Sequence, residues 1–151
     1  MRVSAKVDYA IRAIIELAVV APEQIKGEKL AAAQAIPQKF LESILVDLRN
    51  AGLVASQRGA EGGYWLAKPA DTIKLADVIR AVEGPLADVR GQRPETLEFT
   101  GAATDLRKVW LALRVSLRSV LEQVTVADVA SGQLPPLIDD LLADPEAYVP
   151  H

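Results

Sequence analysis

Side chains that commonly perform covalent or proton-transfer catalysis are scarce in this sequence. It has no Cys, and its single His is the last residue, His151. Without thiolates, and with one terminal imidazole, the chain cannot assemble a Cys nucleophile, a His-based triad or a Cys-ligated zinc or iron–sulfur site. We therefore predict no catalytic residues, no metal ligands and no cofactor, and a protein that works by binding.

Arginines are the side chains best suited to hold a small ligand in the C-terminal half. Arg90, Arg93 and Arg107 lie in or just after residues 85–104, a segment with several Gly and Pro and no sustained periodicity. Guanidinium forks suit carboxylate or phosphate groups, and Trp110 follows closely. We interpret these arginines as a candidate small-molecule site, with a solvated loop of ordinary charges as the equal alternative.

Length and composition indicate one globular domain. The 151 residues are enough for a single hydrophobic core, and 50% of them are apolar and 25% charged, which excludes a collagen-like or largely disordered chain. No apolar run is long enough to span a bilayer, and the N-terminus lacks the pattern of a signal peptide. We expect a cytoplasmic protein without a membrane partner.

Charge is distributed unevenly along the chain. Residues 1–68 hold nine Lys and Arg against seven Asp and Glu, whereas residues 69–151 hold eight against 13. A weakly basic N-terminal half beside an acidic remainder would suit a surface that faces nucleic acid. The charge asymmetry alone does not establish such a surface, so the evidence for it has to come from the helices and strands that the sequence predicts.

Apolar spacing predicts three helices in the first 50 residues. Ser4 precedes a helix over residues 5–20, and the stretch EKLAAAQA predicts a short second helix. A third helix over residues 38–50 follows Pro37, and Gly52 stands where a left-handed cap would end it. Two helices joined by so short a break form a helix-turn-helix.

The residues after the third helix predict a β-hairpin. Leu53 and Val54 begin a stretch with strand character, residues 64–66 favour a returning strand, and GAEGG between them is a turn cluster. We expect a hairpin with a flexible tip, which acts as the wing of a winged helix-turn-helix. A fourth helix within KLADVIRAVEG, ending at Gly84, completes a domain over residues 1–84.

The C-terminal part predicts one long helix and an acidic tail. Apolar residues recur at steps of three and four over residues 105–125, more than the small N-terminal domain needs to cover itself, so we predict a homodimer interface. The tail comprises residues 126–151. Thr125, just before it, can cap a short helix that ends before Gly132, and Pro135 and Pro136 interrupt the chain after that helix. We expect a solvated, partly disordered end. The expected interface comprises Leu106, Val109, Trp110, Leu113, Leu117, Val120, Leu121 and Val124.

Four blocks of sequence occur in a specific order. They are MRVSAKVDYAIRA at the N-terminus, FLE in the third helix, GLVASQRGAEGGYWLAKP in the wing and ADVIRAVEG in the fourth helix. In this order and spacing they resemble the Rrf2 family of bacterial winged helix-turn-helix transcription regulators, over about residues 1–125. The resemblance implies a regulator, usually a repressor, that binds a palindromic site in double-stranded DNA as a homodimer.

The resemblance also implies which residues face DNA. Gln38, Lys39 and Glu42 should face base edges, since Gln can pair with adenine, Lys with guanine or phosphate, and Glu with the cytosine amino group. Arg58, next to Gly59 in the wing, should enter the minor groove or hold phosphate. The alternatives are a solvated helix face, and a winged-helix protein-interaction module that does not bind DNA. Further backbone contacts are expected near the first helix from Ser4, Lys6 and Tyr9.

The sequence departs from the iron–sulfur members of the family. Those members carry three Cys in the loop before the long helix, whereas residues 85–104 here contain none. Asp8 stands where the nitric-oxide sensor has a carboxylate ligand, but a carboxylate without sulfur donors cannot hold such a cluster. We therefore expect no cluster, an unidentified small-molecule or protein effector, and Asp8 in a surface or interdomain ion pair.

Overall fold

The computed structural model describes residues 2–150, so His151 lies outside the described residues. Within them the chain forms seven α-helices and one antiparallel hairpin, which confirms a mainly helical winged helix-turn-helix fold. The helices are α1 Ala5–Val20, α2 Gly27–Ala33, α3 Gln38–Asn50, α4 Leu75–Glu83, α5 Leu106–Leu121, α6 Val126–Ser131 and α7 Pro136–Leu142, and the strands are β1 Val54–Gln57 and β2 Gly63–Leu66.

One apolar core joins the N-terminal helices. α1 packs against α3, α4 and α6 and contributes Ile14 and Leu17, which are fully buried. α3 contributes Ile44 and Leu48, which are four residues apart and so lie on one helix face. Full burial of an aliphatic side chain of this size stabilises the fold by about 1.5–3 kcal/mol. With this face buried, the opposite face of α3 lies in solvent.

The ends of the first three helices follow from local capping. The Ser4 hydroxyl accepts a hydrogen bond from the Val7 amide at 3.1 Å, which starts α1 at the predicted position. Gly52 adopts a φ of 73° just after α3, which confirms the predicted left-handed cap. The second helix is shorter than predicted: Ala35 lies beyond its end, exposed and with a φ of 51°, so it does not join the buried α2 residues.

The wing pairs its two strands in the expected region. Val54 is opposite Leu66 and Gln57 is opposite Gly63. A Cβ on Gly62 would lie 2.1 Å from the carbonyl oxygen of Gln57, so the turn has no room for a side chain at this position. The glycine-rich composition of the turn is therefore a steric requirement.

The long helix is shorter than the sequence predicts, and it leaves its apolar stripe uncovered. α5 ends at Leu121, and none of its residues is buried within the protomer. Val124, which the sequence analysis assigned to the dimer interface, is instead 3% exposed in the core, and its carbonyl accepts a hydrogen bond from the Leu75 amide at 3.0 Å. That assignment is wrong, because Val124 leaves the helix to pack beside α4.

The first part of the predicted solvated tail belongs to the core. Thr125 caps α6 as predicted, through a hydrogen bond of 3.1 Å to its hydroxyl from the Asp128 amide. Val126 is fully buried, and its amide donates to the Ile73 carbonyl at 2.8 Å while α6 packs on α1. Pro136 starts α7 instead of ending regular structure, because proline suits the first turn of a helix.

Residues 85–104 contain no α-helix or β-strand but are partly buried. Leu86 and Leu97 are each less than 10% exposed. Val89 and Gln92 exchange backbone hydrogen bonds of 2.9 and 3.0 Å around a two-residue turn. Both turn residues, Arg90 and Gly91, have positive φ, as a tight hairpin turn requires. Short 3-10 turns follow at Pro94–Thr96 and Gly101–Ala103. No helix within residues 2–150 is long and apolar enough to cross a membrane.

Candidate nucleic-acid interface

The start of α3 presents polar side chains to solvent. Gln38, Lys39 and Glu42 are all exposed, while Leu41 and Leu45, beside Gln38 and Glu42 on the helix, are buried. The only polar contact among the three is a long one, 3.5 Å from the Gln38 amide to a Glu42 carboxylate oxygen. Because these groups are not engaged with the core, their donors and acceptors are free to meet an external partner.

Arg58 projects from the wing without a partner. Its side chain is exposed and makes no hydrogen bond or ion pair with any residue in the range 2–150. Gly59 follows with a φ of 104°, a conformation that other residues rarely adopt. The turn is nevertheless tethered: Lys26 Nζ donates to the Ala60 carbonyl at 2.6 Å, and the Gln24 amide donates to the carbonyl of Glu61. The expected flexible tip is thus attached to the α1–α2 connection.

The fold brings the start of α3 and the wing to the two sides of one groove. A cavity of about 370 Å³ lies between them, with Gln38 and Glu42 on one side and Gly59 on the other. A hydrogen bond of 3.0 Å from Arg49, near the end of α3, to Ser56 on β1 connects the two elements. The name α3/wing surface is used for five residues: Gln38, Lys39, Glu42, Arg58 and Gly59.

Two residues expected to contact the DNA backbone have partners inside the protomer. The Ser4 hydroxyl, besides capping α1, donates to a carboxylate oxygen of Glu83 at the end of α4. Lys6 Nζ lies 2.8 Å from Asp47 Oδ2 on α3, and both side chains are about one-third exposed. A phosphate contact by Lys6 would have to compete with Asp47, so these two residues primarily hold α1 against α3 and α4.

Tyr9 packs between α1 and α3 in the N-terminal domain. Its ring meets Phe40 edge to face, with centroids 5.5 Å apart, and the Arg12 guanidinium lies 5.3 Å from the Tyr9 centroid. Arg12 also pairs with Asp8 at 2.8 Å, one turn earlier on α1. This confirms the surface ion pair predicted for Asp8, and it leaves Tyr9 mainly a packing residue between α1 and α3.

The apolar side chains along one face of α5, which include Val109, Trp110, Leu113 and Leu117, are called the α5 stripe, and no element of the same protomer covers them fully. Val109 is 55% exposed, and Trp110, Leu113 and Leu117 are only partly buried. The indole N–H of Trp110 is buried and has no acceptor within residues 2–150. A monomer would leave this apolar row in water, which is the pattern of a helix that packs against another chain.

A cavity of about 320 Å³ lies between α4, α5 and the 85–104 loop. Of the three arginines that the sequence suggested for a ligand site, only Arg93 lines it. Arg90, exposed in its tight turn, and Arg107, exposed on α5, do not line this cavity. We call this site the arginine cavity after the residues that line it: Arg80, Arg93, Arg114 and Arg118.

Carboxylates hold most of these guanidinium groups. Glu122 accepts a hydrogen bond from Arg80 and lies 3.7 Å from Nε of Arg118. The Arg80 hydrogen bond is the main cause that lowers the pKa of Glu122 below its ordinary value. Glu95 accepts a hydrogen bond from Arg114. The pKa of the Glu95 carboxyl is lowered mainly by a hydrogen bond from its own backbone amide, and next by the hydrogen bond from Arg114. Both acids are therefore ionised at neutral pH.

Sequence reasoning missed Arg80, Arg114 and Arg118. Arg114 and Arg118 are four residues apart on α5, so their shared helix face was a signal present in the sequence. Arg80 lies on α4, 34 positions before Arg114 in the numbering, and periodicity cannot show that the two helices meet. The site becomes visible only once α4 and α5 are packed together.

With the fold and these surfaces described, the family of the chain can be assigned from a match to a family sequence model. The Rrf2 model, described as an iron-dependent transcriptional regulator, matches residues 3–132. The chain belongs to the Rrf2 family. The winged helix-turn-helix architecture agrees with this assignment, and the chain is accordingly a DNA-binding transcriptional regulator of the helix-turn-helix type.

Rrf2 relatives match nearly the whole chain. A Mycobacterium tuberculosis protein, named as a candidate HTH-type transcriptional regulator, is 51% identical over 145 residues, which cover 95% of this chain and 90% of that protein. CymR of Bacillus subtilis is 37% identical over 87% of this chain and 91% of its own. The crystal structure of CymR, titled the global cysteine regulator, superposes with a TM-score of 0.73 at 35% identity, over 87% of this chain and 97% of that one. An IscR structure from T. potens gives 0.69 at 30% identity, over 100% of this chain and 93% of the other.

The iron in the Rrf2 description does not fit the donors of this chain as an iron–sulfur cluster. Such clusters are held by thiolates, and the sequence has no Cys. Within residues 2–150 no three His, Cys, Asp or Glu side chains come together in a metal-binding arrangement. The loop that would present thiolates supplies Arg93 to the arginine cavity instead.

Proposed function

We propose that this Rrf2 protein represses transcription by binding a palindromic promoter site as a homodimer, without an iron–sulfur cluster and without catalysis. The observation that carries the proposal is the α3/wing surface, where the exposed polar start of α3 and Gly59 of the wing border one groove and the exposed Arg58 is next to Gly59 in the chain. An apolar groove would instead favour docking of a protein helix.

The homodimer part rests on α5. Its apolar stripe, with Val109 more than half exposed, needs a covering surface, and a second copy of the same helix supplies a matching one. A two-fold dimer would present two copies of α3 to successive major grooves, about 34–36 Å apart, which is why the site should be a palindrome.

On DNA, each residue of the α3/wing surface has a distinct role. Gln38 pairs with an adenine edge, Lys39 with guanine or a phosphate, and Glu42 accepts from a cytosine amino group. Arg58 enters the minor groove or holds phosphate, and Gly59 lets the backbone approach the duplex. Ser4 and Lys6 orient α1 and contact the backbone only if their internal partners exchange.

The test is binding of the purified full chain to its own upstream promoter duplex, followed by fluorescence anisotropy across a salt series. A scrambled duplex of equal length is the competitor. We expect a stoichiometry of two chains per duplex, preference for the promoter, and an affinity that falls steeply with salt because bound phosphates release counterions.

Absence of any affinity at low salt would contradict the proposal and favour the protein-interaction module. Equal affinity for both duplexes would contradict a sequence-specific role. Repression itself is tested with a promoter fused to a reporter gene, whose output should rise when the regulator is deleted. A fall in output would indicate an activator.

A further inference from the structure

We propose that the arginine cavity binds a small oxyanion, with a carboxylate, phosphate or sulfate group seated among Arg80, Arg93, Arg114 and Arg118. The site stands on its own geometry, and only its use as an effector site rests on the proposed DNA-binding function. The sequence pointed to this neighbourhood, but of the arginines that it suggested only Arg93 lines the cavity, and Arg80, Arg114 and Arg118 were not among them.

Positive charge exceeds negative charge in the lining. Four arginines border the cavity, and Asp88 and Glu95 are the carboxylates among the lining residues. Outside the lining, Asp77 and Glu122 each accept a hydrogen bond from Arg80. Each guanidinium carries five N–H donors, so these four carboxylates still leave many donors without an acceptor.

One donor is both buried and unpaired. Nε of Arg114 is inaccessible to solvent and has no hydrogen-bond acceptor within residues 2–150, although the same side chain pairs with Glu95 through its terminal nitrogen. The side chain as a whole is only 16% exposed. Buried donors of charged groups nearly always have a partner in native proteins, so the Arg114 guanidinium has hydrogen-bonding capacity that its pairing with Glu95 does not use.

Arg93 offers a second free guanidinium at the same cavity. It is exposed, and its side chain makes no hydrogen bond or ion pair with any residue in the described range. Within residues 2–150, the single ion pair of Arg118 is the 3.7 Å approach of its Nε to Glu122. A ligand oxyanion could therefore gain Arg93 and Arg118 without breaking a short ion pair.

The cavity size selects a small ligand. A volume of about 320 Å³ is at the lower end of pockets that hold metabolites. The ligand that fits the arginine cavity is thus a small molecule with one or two negative charges, which the guanidinium groups hold by paired hydrogen bonds.

α4 connects this cavity to the rest of the molecule. It carries Arg80 at the cavity, and at its end Glu83 accepts the hydrogen bond from Ser4 at the start of α1. α4 also packs on α3. An anion that draws Arg80 away from Glu122 would therefore act on the helix that supports α3, and we expect it to change DNA affinity.

The test is isothermal titration calorimetry of the full chain with sulfate, phosphate and succinate, each at constant ionic strength made up with chloride. We expect saturable heat with at least one of these three probes. Arg93→Gln should weaken that binding about tenfold, and Arg114→Gln should abolish it. The inorganic and dicarboxylate arms distinguish the two kinds of oxyanion.

Arg90→Gln and Arg107→Gln are the matched controls, because each removes an exposed arginine that does not line the cavity. Both should bind like wild type. The Arg93 side chain makes no hydrogen bond or salt bridge within residues 2–150, so its variant should fold normally even if Arg114→Gln does not. No saturable heat from any probe, or equal weakening in the controls, would overturn the site.

Promoter binding measured with and without the bound anion then tests the effector role. A changed affinity supports it, and an unchanged affinity overturns the effector role while leaving the site intact. If the protein binds no duplex at all, the proposed function fails, but the anion titration still decides the site.

Discussion

The α3/wing surface and the arginine cavity use positive charge in opposite ways. On the α3/wing surface, Lys39 and Arg58 are exposed and have no partner within residues 2–150. At the arginine cavity, Arg80 and Arg114 are partly buried, and each is held by a carboxylate. Free, hydrated cations suit a long polyanion, whereas prepositioned ones suit a small ligand whose geometry must match theirs.

A count of charges therefore predicts little about function in this molecule. The N-terminal half is only slightly basic and the C-terminal half is acidic, yet the acidic half contains a cavity lined by four arginines. What distinguishes the two regions is whether acidic residues lie within reach of each cation. Variants can test this distinction by disrupting the proposed dimer, then by removing Arg58 or Gln38 from the α3/wing surface, and last by removing the carboxylate of Glu122 that holds Arg80.

Loss of the dimer should have the largest effect on DNA binding. Val109→Asp places a charge on the α5 stripe at a position that is 55% exposed in one protomer, so the protomer should fold while the proposed interface fails. Because two linked half-sites bind far more tightly than one, promoter affinity should fall about a hundredfold or more. Light scattering after size-exclusion chromatography should report a monomer.

Val19→Asp is the matched control for this variant, since Val19 is 60% exposed on α1 and far from the α5 stripe in sequence. It should stay dimeric and bind DNA normally. A dimer that survives Val109→Asp would remove α5 as the interface and leave its exposed stripe without an explanation.

The next largest effect should come from Arg58→Ala. The variant removes a free cation from the wing, so promoter affinity should fall about tenfold and the salt dependence should flatten by about one unit of slope. Anisotropy titrations at four salt concentrations or more measure both quantities. Arg90→Ala, which also removes an exposed arginine from a tight turn, should change neither.

Gln38→Ala should act on specificity and not on general affinity. The side chain is exposed at the start of α3 and contacts only Glu42 weakly, so its loss should leave the fold unchanged. Promoter affinity should fall about fivefold, or ~1 kcal/mol, while affinity for the scrambled duplex stays constant. An equal loss on both duplexes would mean that Gln38 contacts the backbone and reads no base.

The sequence was most informative where structure is local. The bounds of α1 and α3 follow from apolar periodicity and from Ser4 and Gly52 at their ends, all within one helix length. The wing follows from strand-forming residues around a glycine turn for the same reason. These signals come from residues that are close together in the sequence, so these elements can be predicted without knowledge of tertiary contacts.

Tertiary contacts decided the features that the sequence could not predict. Val124 continues the apolar spacing of α5, but its backbone pairs with Leu75, far away in the chain, and the helix stops before it. Ser4 and Lys6 look free in the sequence until Glu83 and Asp47 are placed beside them. Each error came from treating a residue as exposed when a distant partner held it.

The smallest effect should come from Glu122→Gln, which tests the paired side of the comparison. The hydrogen bond from Arg80 lowers the pKa of Glu122 from the ordinary value of 4.5. A carboxyl whose pKa is lower in the folded state stabilises the fold above its unfolded pKa, and this stabilisation is lost as the pH falls through the folded value. The variant should therefore be slightly less stable than wild type at pH 7, and the difference should shrink below about pH 4.5.

Urea unfolding of both proteins between about pH 7 and pH 3 measures this difference. Glu98→Gln is the control, because Glu98 is exposed and has no ion pair within residues 2–150; it should unfold like wild type throughout. If the gap between Glu122→Gln and wild type instead widened on acidification, the ion pair would not hold Arg80 in solution. Arg80 would then join Arg93 as a cation without an ion pair to Glu122 at the arginine cavity, and the contrast with the α3/wing surface would weaken.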